Sequence, residues 1–128
     1  MTMPEPNIRE IVKDANDRWN AAFNSKDSAS IAALYTEDGT VLPHTHAIVK
    51  GRTAIADFWA GMISAGIKGH GIELLDAQDA GDIAYSSGKW WASGLGEDGK
   101  AMRYEGTVVT ILRKQSDGSW KTCLHTWN

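Results

Sequence analysis

Cysteine, proline and long apolar runs are scarce in this chain of 128 residues, and each scarcity excludes a class of protein. Cys123 is the single cysteine, so no disulfide can form within the chain, and we expect a reducing compartment. No apolar run approaches the roughly 20 residues that a membrane-spanning helix needs. The first residues have neither the basic segment nor the apolar core of a signal peptide, which predicts a cytoplasmic protein.

An excess of positive charge is also missing. The 13 lysines and arginines are outnumbered by 16 aspartates and glutamates, which gives a net charge of −3. A surface that binds phosphate groups needs a cluster of basic side chains to neutralise them. We therefore expect neither a nucleic acid nor a membrane as a partner.

Aromatic side chains, by contrast, are plentiful. Any single tryptophan in a small domain is more often a core residue than part of a ligand site. Several tryptophans that converge on one cavity would instead indicate a binding pocket. The six tryptophans are Trp19, Trp59, Trp90, Trp91, Trp120 and Trp127.

The first third of the chain has the apolar spacing of helices. Residues 8–24 place their apolar side chains on one face, which predicts an amphipathic helix. Asp27 is suited to cap a short second helix that carries Leu34 and Tyr35. Gly51-Arg52-Thr53 predicts the start of a third helix, with Thr53 as its N-cap. Between these helices, residues 37–39 predict a turn and residues 40–42 a brief strand.

From Gly69 onward the apolar pattern changes to the period of two that strands have. Turn-forming segments separate the strands and are typical of hairpins. Helices followed by a meander predict an α+β fold, in which three N-terminal helices cover a curved antiparallel sheet. We expect one domain over residues 1–128, with strands near residues 71–79, 82–93, 101–114 and 119–127.

Four segments, in this order, resemble a known family. They read RWNAAFNSKD, IAALYTEDGTV, GRTAIADFW and DGSWKTCLHTWN. Together they resemble the nuclear-transport-factor-2-like superfamily, in its ketosteroid-isomerase and SnoaL-like polyketide-cyclase branch. The resemblance implies a cone-shaped half-barrel that encloses a ligand pocket. It also implies a homodimer formed through the outer face of the sheet, where we place Trp91, Ile111 and Trp120.

The resemblance implies that side chains from the first helix, the third helix and the last strands line the pocket. The period of two supports part of this set. Residues 123, 125 and 127 share one face of the last predicted strand, and residues 102, 104, 108 and 110 share one face of the strand before it. We expect a small hydrophobic molecule as the ligand. The predicted ligand-binding residues are Trp19, Phe23, Tyr35, His46, Phe58, Trp59, Met62, Trp90, Met102, Thr110, Cys123 and Trp127.

The residues of ketosteroid isomerase chemistry are replaced in this chain. That enzyme uses a carboxylate base, together with a tyrosine and a protonated aspartate that hold the enolate oxygen. The matching positions carry Pro43, Trp19 and Thr110. Because the base and both donors are changed, we do not expect ketosteroid isomerase activity.

Histidine is the residue type left to move a proton. We predict His125 as a general acid or base, assisted by His44 or His46 and by Tyr104 as a donor. The alternative is that these histidines form hydrogen bonds without any chemistry. His44 and His46 share the spacing of metal ligands, but a site needs three or four ligands, so we predict no metal and no cofactor.

Two classes of function remain open. One is an isomerase, cyclase or lyase that acts on a hydrophobic cyclic or aromatic substrate. The other is a non-catalytic module that binds a ligand or forms a dimer. We favour the first, a small-molecule pocket protein, and keep the second as the alternative, because folds of this kind serve many functions.

Overall fold

A computed structural model describes residues 7–128, and residues 1–6 lie outside the described range. None of the helices in the described part combines the length and the apolar character that a membrane crossing requires. The elements, in chain order, are α1 (Ile8–Asn24), α2 (Ser28–Ala32), β1 (Tyr35–Leu42), β2 (Val49–Lys50), α3 (Arg52–Ser64), β3 (Lys68–Ala80), β4 (Ile83–Leu95), β5 (Ala101–Lys114) and β6 (Trp120–Trp127).

The strands form one curled sheet in the order β2-β1-β6-β5-β4-β3. Strands β3 to β6 form an antiparallel meander, and β1 joins its edge by pairing parallel to β6. Helix α1 packs against β3, and α2 packs against α3. The predicted α+β cone, with its helices at the N-terminal end of the chain, is confirmed.

The helix ends show which capping predictions were right. Asp27 caps α2 as predicted, because its side chain accepts a hydrogen bond of 3.1 Å from the Ser30 N–H. The prediction of Thr53 as the cap of α3 was wrong. Gly51 precedes that helix with φ of 89°, a backbone angle that glycine adopts without strain, and Thr53 lies within the first turn.

Strand β1 is longer than the sequence predicted. Tyr35 begins this strand instead of ending α2, and residues 37–39 lie within it instead of forming a turn. Tyr35 pairs with Thr122 and Thr40 with Leu124, so six residues of β1 span three of β6. This bulge accounts for the turn-like composition of residues 37–39, because extra residues of a bulge do not follow the ladder.

The core consists of two groups of buried side chains. The larger group lies between the helices and strand β1, and its fully buried members include Ile31, Tyr35, Val41 and Ile55. The smaller group lies where α1 crosses β3, β4 and β5, around Val12. Between and beside these groups the helices leave open space inside the curled sheet, and that space contains the candidate site.

Candidate functional site

A central cavity of about 150 Å³ lies inside the curl of the sheet. Its walls come from α1, α3 and the strands β3 to β6, and most of them are aromatic or aliphatic. Among the described residues, none of those that line it is an aspartate, glutamate, lysine or arginine. The lining residues are Phe23, His44, Trp59, Met62, Ile67, His70, Ile72, Trp90, Ala92, Tyr104, Val108, His125 and Trp127.

A second cavity, of about 370 Å³, lies between α1 and the far ends of β5 and β6. It is more polar, since Glu10, Asp14 and Arg18 of α1 contribute to its walls. His125 and Ile72 line both cavities. The side chain of His125 is therefore part of the wall between the two spaces.

A chain of buried hydrogen bonds holds His125 in this wall. The Trp19 Nε1–H donates to the Tyr35 hydroxyl oxygen over 3.1 Å. The Tyr35 hydroxyl lies 2.7 Å from Nδ1 of His125. Because a buried hydroxyl proton needs an acceptor, it goes to His125 Nδ1, the one acceptor within reach among the described residues. Nδ1 of His125 is then an acceptor, and the ring proton is on Nε2.

Burial keeps His125 neutral. Its side chain is 7% exposed, and it is enclosed by Trp19, Trp59 and Trp127, whose ring centroids lie 4.9 to 6.0 Å away. Desolvation, and to a smaller degree repulsion from His70, lowers the pKa of His125 from 6.5 to about 3. Nε2 makes no hydrogen bond within residues 7–128 and keeps some contact with open space. At neutral pH, His125 therefore presents an uncharged N–H donor.

Tyr35 is also locked in its neutral form. Burial raises the pKa of its hydroxyl, against a smaller opposing effect of the neighbouring indole N–H groups of Trp19 and Trp59. The Trp59 N–H is buried close to this hydroxyl but forms no hydrogen bond with it. The Tyr35 proton therefore remains available to His125 throughout the ordinary pH range.

The structure adds a functional candidate that the sequence analysis missed, His70. Its Nδ1 lies 2.7 Å from Oδ1 of Asn20, and its backbone N–H and carbonyl bind the side chain of Asn24 at 2.9 and 3.1 Å. Burial lowers the pKa of His70 from 6.5 to about 4. No local pattern could have identified this residue, because its partners lie 46 and 50 positions away on α1.

Eleven of the fifteen predicted site residues line one of the two cavities. The central cavity contains all three predicted catalytic residues and five predicted ligand-binding residues. These are His44, Tyr104, His125, Phe23, Trp59, Met62, Trp90 and Trp127. Trp19, Tyr35 and Thr110 line the second cavity.

Cys123 does not line either cavity, and the reason is a second bulge. Ile111 pairs with Leu124 and Leu112 with Thr122, so Cys123 is an extra residue of β6 without a partner in β5. The bulge reverses the alternation of faces along the strand. Thr122 and Trp120 consequently line the second cavity, so the prediction of Trp120 on the outer face was wrong.

His46, Phe58 and Met102 also lie outside both cavities. His46 is exposed in the turn after β1, with φ of 71°, and it does not share the side of a strand with His44. Met102 is 50% exposed, because it lies near the end of the β4–β5 hairpin. Phe58 packs behind the wall, with its ring 4.8 Å from Trp59 and 5.9 Å from Trp127.

Two of the predicted site residues have hydroxyl groups that are already hydrogen-bonded within the protein. The Tyr104 hydroxyl donates to the Leu95 carbonyl oxygen over 2.7 Å, so its proton is not directed into the cavity. The Thr110 hydroxyl shares a hydrogen bond of 2.6 Å with Ser86. Within residues 7–128, no three histidine, cysteine, aspartate or glutamate side chains are grouped as metal ligands would be.

A sequence profile of the SnoaL-like domain family matches residues 16–122, which is most of the chain. The chain belongs to the SnoaL-like domain family. No curated protein matches this SnoaL-like domain. The match begins within α1 and ends within β6, so it covers α2, α3 and the strands β1 to β5 entirely and stops short of His125 and Trp127.

Solved structures share the fold of this SnoaL-like domain at low sequence identity. A ketosteroid isomerase-like protein from Erwinia carotovora atroseptica is 20% identical with a TM-score of 0.81, and 92% of each chain is covered. A nuclear transport factor 2-like superfamily protein from Salmonella enterica is 12% identical with a TM-score of 0.79, over 94% of this chain and 89% of that one. A candidate calcium/calmodulin dependent protein kinase II association domain from Xanthomonas campestris is 23% identical with a TM-score of 0.80, over 99% and 91%.

The two buried histidines predict how the stability of the domain depends on pH. Their pKa values are lower in the folded chain, about 3 and 4, than the ordinary 6.5, so between these values the unfolded chain binds more protons. The free energy of unfolding should therefore be highest above pH 6.5 and fall as the pH drops toward 4. Each histidine contributes a slope of up to about 1.4 kcal/mol per pH unit.

Urea unfolding at several pH values, followed by tryptophan fluorescence, measures this slope. His125→Gln should remove about half of the histidine contribution, and the double variant His70→Gln, His125→Gln should remove nearly all of it. Ile48→Ala, at a side chain that is 78% exposed, should leave the slope unchanged. An unchanged slope in the double variant would contradict the burial of neutral imidazoles.

Proposed function

We propose that this SnoaL-like domain binds a small, one-ring apolar molecule in the central cavity and catalyses a proton transfer next to its carbonyl group. An isomerase, cyclase or lyase works by this kind of chemistry. One observation carries the proposal: an apolar cavity whose wall holds the imidazole N–H of His125, fixed by the Trp19–Tyr35–His125 chain of hydrogen bonds. Apolar walls with a few oriented polar groups are typical of ligand sites.

The volume of the cavity supports a ligand of about one ring. An apolar protein cavity of roughly 150 Å³ accommodates benzene, and the central cavity has a similar volume of about 150 Å³. Trp59, Trp127 and Trp90 supply flat surfaces against which such a ring can stack. A four-ring steroid would need a much larger space, in keeping with the replacement of the ketosteroid isomerase residues.

The proposed role of His125 is that of a fixed donor. When a base removes a proton from the carbon next to a carbonyl, the electron pair moves onto the carbonyl oxygen. A neutral imidazole N–H can stabilise that developing negative charge. In a dry site, one such donor is worth roughly 100- to 1,000-fold in rate. The removed proton goes to a second imidazole of the cavity wall, which returns it to a different carbon in an isomerisation.

This role differs from the general acid or base that the sequence suggested for His125. With a pKa of about 3, the ring carries no transferable positive charge at neutral pH. Its Nδ1 is occupied by Tyr35, so only the Nε2–H is free to contact a ligand. A donor that holds an oxygen atom needs no change of protonation state, and burial is an advantage for it.

The competing function is a non-catalytic binding or association module. It is favoured by the neutrality of both buried histidines and by the likeness of fold to the candidate association domain from Xanthomonas campestris. In that case the cavity would hold a ligand without turnover. Proton exchange into a bound ketone distinguishes the two functions, because binding alone does not produce it.

We also propose that the domain forms a homodimer through the outer face of its sheet. Tyr85 of β4 and Val109 of β5 are 48% and 42% exposed on this face. Tyr85 is paired across the strands with Ile111, and Trp91 lies on the same face toward the other end of β4. Apolar side chains that adjoin one another on an exposed sheet are typical of interfaces between copies.

Acetophenone, a one-ring ketone, is a suitable probe of the proposed function. It should quench tryptophan fluorescence saturably, whereas a steroid should not. His125→Leu should weaken acetophenone binding by about tenfold, because it removes one hydrogen bond. Exchange of the methyl protons for deuterium in D₂O, followed by NMR, should fall by roughly 100- to 1,000-fold in the same variant.

His46→Gln is the matched control, because His46 is exposed and lies outside both cavities. It should leave both binding and exchange at the level of the unaltered protein. Saturable binding without any exchange would support the non-catalytic module. No binding of any one-ring compound would contradict the proposed use of the cavity.

The mass of the protein in solution tests the proposed dimer. Size-exclusion chromatography with light scattering should give twice the chain mass of 13.9 kDa. Val109→Lys should shift the mass toward the monomer, because it places a charge within the apolar outer face. Ile48→Lys changes an exposed apolar side chain elsewhere and should leave the dimer intact. A monomeric unaltered protein would overturn this proposal.

A further inference from the structure

Two side chains of α1 form hydrogen bonds with the backbone and the ring of His70. The register of β3 against β4 shifts between Lys68 and Gly71, so His70 lies outside the ladder of strand pairs. Asn24 replaces the missing strand partner: its amide accepts from the His70 N–H at 2.9 Å and donates to the His70 carbonyl at 3.1 Å. A side chain of α1 thereby fixes the backbone of His70.

The imidazole ring of His70 is fixed as well. Asn20, one helical turn before Asn24, places its carbonyl oxygen Oδ1 at 2.7 Å from Nδ1 of His70. A carbonyl oxygen can only accept, so Nδ1 carries the proton and donates it. In the neutral ring, Nε2 then has an unshared electron pair. Nε2 makes no hydrogen bond within residues 7–128 and is not fully buried.

Aromatic rings support this orientation from several sides. The centroid of the His70 ring lies 4.5 Å from that of Trp19 and 5.5 Å from that of Phe23. The Trp90 ring is nearly parallel to it, at an angle of 7° and a distance of 6.2 Å. Because His70 and His125 line the same cavity, a ligand there meets one imidazole donor and one imidazole acceptor.

We propose that His70 is the acceptor of the central cavity, and that its Nε2 receives a hydrogen bond or a proton from a ligand whose oxygen is held by His125. The ligand class is then a neutral one-ring compound that carries both a hydrogen-bond donor and an acceptor, as phenols and enols do. This inference rests on the proposed use of the central cavity as the binding site. It assigns to His70 the acceptor role for which His44, exposed in a turn, is the competing residue.

The absence of charged side chains supports a neutral ligand. Among the described residues, the lining of the central cavity contains no aspartate, glutamate, lysine or arginine that could balance an ion. A charged ligand would lose its hydration without compensation. A neutral ligand with one donor and one acceptor instead satisfies both imidazole nitrogen atoms that the protein leaves without partners.

Toluene, anisole and phenol form a one-ring series of probes for this inference. Toluene has no polar group, anisole only accepts, and phenol both accepts and donates. Calorimetric titration of the unaltered protein should show affinity rising in that order. His70→Leu should lower the affinity for phenol by about tenfold, to the level of anisole, and leave the affinities for anisole and toluene unchanged. His125→Leu should lower the affinities for phenol and anisole and leave the affinity for toluene unchanged.

The outcomes separate this inference from the proposed function. If none of the three probes binds, the central cavity is not a binding site and both proposals fail. If toluene and anisole bind but phenol binds no tighter than anisole, the acceptor role of His70 is overturned while the use of the cavity stands. If His44→Gln, and not His70→Leu, weakens phenol selectively, the acceptor is His44.

A measurement on the unaltered protein guards against variants that fail to fold. Long-range ¹H–¹⁵N correlation spectra distinguish the two neutral tautomers of each histidine. His70 should show the Nδ1–H tautomer at pH 7, and Asn20→Leu should abolish that preference while His125 keeps its own tautomer. An Nε2–H tautomer of His70 in the unaltered protein would overturn the inference, because Nε2 would then be a donor.

Discussion

The hydroxyl of Tyr35 is the polar group on which the interior of this domain depends. Tyr35 is completely buried, and a buried hydroxyl is costly unless it is hydrogen-bonded. It accepts from Trp19 of α1 and donates to His125 of β6. The carbonyl of the same residue accepts from Arg52 of α3 over 2.9 Å. One residue of β1 thus joins two helices and the last strand by hydrogen bonds.

The chemistry that we propose for the cavity follows from this arrangement. The buried proton of the Tyr35 hydroxyl has no acceptor other than His125 Nδ1 among the described residues, so His125 accepts at Nδ1 and its Nε2–H is the free donor. The tryptophan rings bury the imidazole, so the ring stays neutral, and the hydrogen bond from Tyr35 orients its N–H before any ligand arrives. A donor oriented in advance in a dry site is what stabilises a developing oxyanion.

The overall fold was predictable because it depends on patterns that are local in the chain. The helical period over residues 8–24 indicates α1, and Asp27 indicates the start of α2. The change to a period of two after Gly69 indicates the strands of the meander. The two bulges were not predictable. A strict period of two places Cys123 in the pocket and Trp120 outside, and a single unpaired residue in β6 reverses both assignments.

The site was predictable only where the order of elements determined it. Phe23, Trp59 and Trp127 reach the cavity because each lies on the inner face of its element. His70 could not be found in this way, because its role depends on Asn20 and Asn24 of a distant helix. The displacement of Met102 from the cavity depends on where the curled sheet ends, and the alternation of side chains contains no information on that point.

The protonation state of His125 tests the central claim most directly. Long-range ¹H–¹⁵N correlation spectra recorded from pH 5 to pH 8 report whether the ring is charged and which nitrogen atom has the proton. The account predicts a neutral Nε2–H tautomer across the whole range, which Tyr35→Phe should disturb by removing the donor to Nδ1. Titration of His125 near pH 6.5, or an Nδ1–H tautomer in the unaltered protein, would contradict it.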